Sequence, residues 1–479
     1  MITLRQLHAW LDGSQLFGNP DAVIKRVHTD TRNIQTGDLF VALSGEQFDG
    51  NAFVEDAIAK GAVAVIAQHG LKEKSVQGLE VFDTKLALGT IAACWRAQFD
   101  LPLIAVTGSN GKTTVTQMLA SILRAHASEQ SLATVGNLNN DIGVPLTLMR
   151  LRKNHNVAVV ELGMNHPGEI AYLSKIAKPT VVLVNNAQRE HLEFMVSVEA
   201  VAHENGSAIS ALPESGVAVY PIDDDYSAVW KALAKQRKTM TFSLDSDADV
   251  RCITADWVNG SWQVAADTPM GKISYSLTIA GRHNVKNSLA AVACALSANV
   301  PLHTIVAGLQ DFSAVKGRSF TQTIHINGHD VLLIDDTYNS NPDSMKVAID
   351  SLSEMAEPRL IVMGDMGEVG EQGLSFHAEA GEYAQHKGIQ QLFALGTLSQ
   401  EAAKYFKGAQ HFETMDAMLA AVSRVVGTTN SILVKGSRFM KMERVSSHIV
   451  ALAAKDKHIH NNKISVNNEN NNMEASHVA

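Results

Sequence analysis

Residues 107–114 read TGSNGKTT, between the apolar run LPLIAV and the helically spaced TQMLASILRAHA. A strand, a glycine-rich turn and a helix start in that order form a cradle for an anion. Backbone N–H groups and the positive end of the helix dipole point at phosphate, and Lys112 adds a full charge. Two residues separate Gly108 from Gly111, two fewer than in the usual Walker A spacing. Glycine-rich strand-to-helix turns also occur without a ligand. Gly-Lys-Thr-Thr at a helix start nevertheless predicts that Gly108, Ser109, Asn110, Gly111, Lys112, Thr113 and Thr114 hold a nucleoside triphosphate.

Other chemistry-bearing residues fall where apolar runs end. Glu161 closes NVAVVELG and His191 follows PTVVLVNNAQRE. Asp335 and Asp336 close HDVLLIDD, Asp365 closes RLIVMGD, and Lys435 closes SILVKG. Ligands of open parallel sheets gather beyond the carboxyl ends of the strands, so these residues are expected around one crevice. A hydroxyl from Thr113 and a carboxylate from Glu161 are hard oxygen ligands suited to magnesium. A lone strand-end glutamate can equally be a helix cap or a surface group; the phosphate loop on the same sheet favours metal. His191 taken alone reads more readily as a satisfied structural histidine. The stretch GNLNNDIGVPLTL at 136–148 reads equally as a plain loop or a polar-ligand site. DDTYNSNPDSM at 335–345 looks like a tailored turn; KGSR at 435–438 places two cations and small residues after a strand end, as solvated faces also do; and Arg318 in KGR sits where an inter-domain contact could reach a phosphate.

The elements that must position these residues fall into three blocks. Residues 1–100 form a small α/β unit with strand-like DLFVAL and AVAVIA. Residues 101–313 alternate buried strands and helices, the pattern of βαβ units with a parallel sheet, and end in period-two segments over 240–280 that predict an antiparallel extension. Residues 314–455 form a further α/β, Rossmann-like block after a joint near residue 314. The Asn-rich residues 456–479 are expected to be disordered, and their histidines to be solvated rather than metal-bound. A chain of 479 residues is too long for one core, and 46% hydrophobic with 19% charged residues fits an ordinary globular protein. The net charge of −9 argues against a nucleic-acid or anionic-membrane surface. Three scattered cysteines lack metal or redox spacing, and no segment reads as a signal peptide or a membrane span. A cytoplasmic monomer is expected.

TGSNGKTT, ELGMN, GRHNVKN and KGR, in this order, together resemble the Mur ligase family, the ATP-dependent amide-forming ligases of peptidoglycan precursor synthesis. The similarity covers residues 1 to about 455. DDTYNSNPDSM with GDMGEVG resembles the D-alanyl-D-alanine-adding branch, whose substrates are UDP-N-acetylmuramoyl-tripeptide and D-alanyl-D-alanine. HTDTRNIQTGDLFVALSGEQFDG resembles the UDP-binding domain of the family. The resemblance implies a small UDP-binding domain, a central P-loop-type ATPase domain and a C-terminal Rossmann-like domain, with ATP and magnesium as cofactors. It implies that Lys112 and the loop hold phosphate, that Thr113 and Glu161 hold one magnesium ion, and that His191 serves a second. Asn284 and Asn287 would face adenine or ribose, Arg318 the γ-phosphate, and Asp336, Tyr338 and Asn339 the crevice wall, with Asn341 nearby. Thr31, Arg32, Asp49 and Gly50 would face UDP, Asn139 and Asn140 the sugar-peptide, and Lys435, Ser437 and Arg438 the incoming dipeptide.

Two departures stand out. Asn205 and Ser207 occupy positions where many relatives carry a carbamylated lysine and an acidic residue, so the second metal is expected on His191 with water or Glu204, or to bind more weakly. Asn51 replaces a histidine frequent after Asp-Gly. Closure about joints near residues 100 and 314 is expected to exclude water. The rival readings are a ligase adding one amino acid, a folate polyglutamylation enzyme, and a partner-governed nucleotide switch.

Overall fold

The computed structural model describes residues 1–45 and 48–455; the expected tail at 456–479 lies outside the described residues. The protein is α/β throughout, with three larger sheets among the described residues. In the first, β1 (Gln15–Phe17), β2 (Arg26–His28), β3 (Asp38–Val41), β4 (Ala64–Ala67) and β5 (Gly78–Glu80) lie in the order β1-β5-β4-β3-β2. Only β1 runs antiparallel. Helix α1 (Thr84–Arg96) follows, its N-terminal amides capped by the Asp83 carboxylate.

The second sheet has nine strands. These are β6 (Leu103–Thr107), β7 (Ser131–Ala133), β8 (Val157–Glu161), β9 (Val181–Val184), β10 (Val217–Pro221), β11 (Lys238–Ser243), β12 (Val250–Val258), β13 (Ser261–Asp267) and β14 (Ile273–Leu277). Their order is β7-β8-β6-β9-β10-β11-β12-β13-β14. Strands β6, β8 and β9 are buried at every position, as their unbroken apolar runs require of strands covered on both faces. The extension is antiparallel only from β12 onward; β11 pairs parallel with β10 and with β12.

Helix α2 (Lys112–Ala127) packs on this sheet. Its Val115, Met118, Leu119, Ile122 and Leu123 recur at helical spacing and are fully buried. Three further helices carry residues that matter below: α3 (Glu169–Ala177), α4 (Val198–Ser210) and α5 (Arg282–Ser297).

The third sheet contains β15 (Phe320–Ile326), β16 (His329–Asp336), β17 (Arg359–Gly364), β18 (Gln391–Leu395), β19 (Gln410–Phe412) and β20 (Ser431–Lys435), in the order β15-β16-β20-β17-β18-β19. The antiparallel edge strand β15 has no continuous apolar run in the sequence, which is why only the joint before it was expected. Helices α6 (Pro342–Ser353) and α7 (Gly373–His386) flank the crevice end. Asn341 caps α6 through Ser344 N at 2.8 Å, with Pro342 in the first turn, where its missing N–H costs nothing.

The first two sheets share one continuous apolar cluster, running from Ile2 and Leu39 through Trp95 and Leu101 to Ala105 and Trp230. Arg96, 5% exposed, seals that junction by donating to the carbonyls of Phe99, Leu101, Ala177 and Lys178. The third sheet is packed by separate clusters. Cys294 is buried and Cys94 and Cys252 partly so, all three as free thiols. Among the described residues no helix is long and apolar enough to cross a membrane.

Candidate functional site

The chain crosses from one side of β6 to the other between β8 and β9, so the loops after these three neighbouring strands converge at their carboxyl ends. The loop after β6 turns through Gly108 at φ +127° and Gly111 at φ +82°. A Cβ on Gly111 would lie 2.6 Å from the Asn185 and Asn287 amides, so the loop tolerates no side chain there. Asn186 O accepts from Ser109 N and Asn186 Oδ1 from Asn110 N at 2.8 Å, fixing the loop to the segment after β9.

Lys112 Nζ donates to Gly108 O at 2.6 Å, to Ser109 O at 3.0 Å and to Glu190 Oε1 at 2.8 Å. Thr113 Oγ1 donates to Glu161 Oε1 at 3.1 Å, and Asn139 Nδ2 to the same oxygen at 2.7 Å. Glu161 is 1% exposed, and its Oε2 has no partner. The structure thus brings Thr113 and Glu161 together, with one buried carboxylate oxygen free of hydrogen bonds. Asn140 is spent locally, accepting from Gly143 N at 2.9 Å. Asn284 and Asn287 form an amide chain with Asn185, which donates to Asn110 O.

Across the crevice, Arg318 lies 4.0 Å from the Tyr338 ring centroid, a cation–π stack that orients the guanidinium. Lys435 Nζ donates to Asp336 Oδ2 at 2.6 Å and to Asn339 O at 3.0 Å. Burial pushes the Asp336 carboxyl up, but Lys435 and the Ser319 N–H outweigh it and hold the group below its usual range. His283 nearby is desolvated, which pushes its pKa down to about 4. Ser437 Oγ accepts from Gly367 N at 2.8 Å and donates to Ser340 O, while Arg438 is exposed and meets Glu443.

These groups line one cavity of about 1330 Å³ between the second and third sheets. Ser109, Lys112, Thr113, Asn139, Asn140, Glu161, His191, Arg318, Tyr338 and Lys435 all reach it. Thr31, Arg32, Asp49 and Gly50 do not; they belong to the first sheet's loops. There Arg32 pairs with Asp30, and Asn51 donates to Asp49 Oδ1 at 2.7 Å. Thr114 lines the cavity as well, while Gly108 supports the loop from behind it, its N donating to Asn205 Oδ1 at 2.9 Å.

Some sequence expectations fail on geometry. Glu204 does not face the cavity; its carboxylate accepts from Ile170 N at 2.9 Å, in the first turn of α3. Asp365 turns away as well, accepting from Leu398 N and Ser399 N at the start of the helix Ser399–Lys404. Asn205 is buried, accepting from Thr107 Oγ1 at 2.5 Å and Gly108 N, and Ser207 donates to Glu204 O. Residues 189 and 190 were not singled out from the sequence. Arg189 binds Asp343 and Glu379 of the third block, and Glu190 is 9% exposed beside Lys112. Their charged types within AQREH were the only signal. His191 Nδ1 lies 2.6 Å from Glu368, and its Nε2 3.6 Å from Glu190 Oε1.

The Mur ligase middle domain matches residues 106–295, the Mur ligase, glutamate ligase domain residues 321–438, and the Mur ligase family, catalytic domain residues 23–96. The chain belongs to the Mur ligase family. An Escherichia coli (strain K12) protein named UDP-N-acetylmuramoyl-tripeptide–D-alanyl-D-alanine ligase is 38% identical over 447 residues, covering 93% of this chain and 97% of the relative. A Bacillus subtilis (strain 168) protein of the same name is 31% identical, covering 89% and 93%. The crystal structure of MurF from Acinetobacter baumannii matches this Mur ligase with a TM-score of 0.87 at 36% identity, over 94% of this chain and 98% of that one. MurF ligase from Thermotoga maritima, solved in complex with ADP, matches with a TM-score of 0.81 at 25% identity, over 91% and 99%.

Proposed function

We propose that this chain is an ATP-dependent ligase that joins D-alanyl-D-alanine to UDP-N-acetylmuramoyl-tripeptide through an acyl phosphate, in the cytoplasmic synthesis of peptidoglycan precursor. The observation that carries the reading is the single cavity in which Lys112, Thr113 and Glu161 face Arg318, Asp336 and Lys435. The relatives' printed activity and the ADP bound to the Thermotoga protein support it.

A carboxylate does not acylate an amine at neutral pH, because oxide is too poor a leaving group. Here the tripeptide's terminal carboxylate attacks the γ-phosphorus of ATP, and the bond to ADP breaks. The neutral amine of D-alanyl-D-alanine then attacks the acyl carbon, loses its proton, and expels inorganic phosphate. The protein positions three substrates and neutralises charge. Residues 108–114 cradle the phosphates; Lys112 and Arg318 oppose the transferring group. Asn284 and Asn287 serve the adenine or ribose, and Asp336, Tyr338 and Asn339 form the opposite wall.

Thr31, Arg32, Asp49 and Gly50 hold the UDP end, and Asn139 and Asn140 the sugar-peptide. Lys435, Ser437 and Arg438 lie toward the dipeptide. Thr113 Oγ1 and the unpartnered Glu161 Oε2 are hard donors that fit magnesium. Bound there, the ion supplies charge neutralisation at phosphate oxygens. A coupled ADP-release assay tests the reading: release should require both UDP-N-acetylmuramoyl-tripeptide and D-alanyl-D-alanine. ADP release indifferent to the two peptides would remove it.

A further inference from the structure

Glu190 has no part in the mechanism above, yet it lies at the centre of its charge. It is 9% exposed; Oε1 takes the Lys112 ammonium at 2.8 Å, and Oε2 has no partner. All three N–H groups of Lys112 are occupied, by Glu190 and two loop carbonyls. To meet a phosphate, Lys112 must release one of them. Drawn off Glu190, it would leave a bare buried carboxylate beside a polyanion, which is costly unless another cation comes between them.

The surroundings indicate where that cation sits. His191 Nε2 lies 3.6 Å from Glu190 Oε1, less than twice a magnesium–ligand bond of about 2.1 Å, so both atoms can reach one ion. Glu368 lies against the other ring nitrogen at 2.6 Å, placing negative charge behind the histidine as in many metal sites. Glu204 is held by Ile170 N, and the Asn205 amide is engaged by Thr107 and Gly108, so neither joins them. Among the described residues no three His, Cys, Asp or Glu side chains form a ready-made cage. That suits magnesium, which usually takes one or two protein ligands and completes its shell with phosphate and water.

Taking from the family resemblance that His191 serves a second divalent cation, we infer that Glu190 is the other protein ligand of that ion, exchanging the Lys112 ammonium for it when the nucleotide enters. The inference rests on the ATP-ligase reading. Its test counts Mn²⁺ bound to the full chain by electron paramagnetic resonance, with a non-hydrolysable ATP analogue present. The wild-type chain should take two ions and Glu190→Gln one, with the analogue still bound. Glu190→Asp, which keeps the carboxylate, should take two, the second about 10-fold more weakly.

Two ions held by Glu190→Gln at wild-type affinity would overturn the inference, as would a wild-type chain that takes only one. Should Glu190→Gln not fold, the Asp variant decides, because an unweakened second ion there removes Glu190 from the site. A wild-type chain that does not bind the analogue at all fails the ligase reading itself. An intact first ion and nucleotide with no second one fails this inference alone.

Discussion

Arg189 and Asp343 are 154 positions apart in sequence, yet the guanidinium meets one Asp343 oxygen at 2.6 Å and 2.9 Å while Arg189 N donates to the other at 2.7 Å. Glu379 adds a further bond at 2.8 Å, and Phe376 lies under the cation at 5.1 Å. The pair ties the loop after β9 to the start of α6, across the crevice. Charge-assisted bonds of this kind contribute about 1.5–3 kcal/mol each. Arg189→Ala should therefore shift the chain toward an open form by more than about 10-fold without nucleotide. Small-angle scattering should show a larger radius of gyration for the variant. An unchanged radius would remove Arg189 as the clasp.

Lys112→Ala should lower turnover by about 10²–10³ at saturating ATP, because one preorganised cation facing the transferring phosphoryl is worth that much. Steady-state phosphate release measures it. A rate near that of the wild type would exclude Lys112 from phosphoryl transfer.

Asn205 carries a neutral amide already bonded to Thr107 and Gly108, so it can form no carbamate. Activity measured after removal of carbon dioxide should not change when bicarbonate is restored. Stimulation would point to a carbamylated lysine elsewhere in the site.

His283, with its pKa lowered to about 4 by desolvation, is neutral in the folded chain at pH 5–6, where the unfolded chain, titrating near 6.5, binds the proton. Its folded pKa is depressed, so stability falls as pH drops from about 6.5 toward 4. Part of the ring reaches the cavity, and the loss is at most roughly 3 kcal/mol. Thermal melts of wild type and His283→Gln across that range should converge at low pH. Parallel curves would show that another group carries the acid sensitivity.

The phosphate loop and its Thr113–Glu161 pairing were legible because strand, turn and helix start are contiguous, and adjacent parallel strands bring their ends together whatever the rest of the chain does. Glu161 needed only its place at the end of a fully buried run. Arg189 and Glu190 were not legible, since each takes its meaning from a partner on another strand-end loop or another sheet. Glu204 and Asp365 misled for the reverse reason. Both sit at plausible positions, but nearby helix starts have N–H groups that lack acceptors, and these carboxylates answer that local need. β15 escaped notice because an edge strand with one wet face carries a weaker apolar signal than a central one.

Arg96 threads four carbonyls at the seam of the first two sheets, where the apolar cluster runs through without a break. That continuity works against the joint expected near residue 100, so closure is expected about the segment at 311–319. On the proposed function, a sugar nucleotide held on the far block would not be brought nearer to ATP by that closure. Its reach would then come from the length of its own peptide, and the spacing between the two anchored ends would gauge how long an acceptable substrate is.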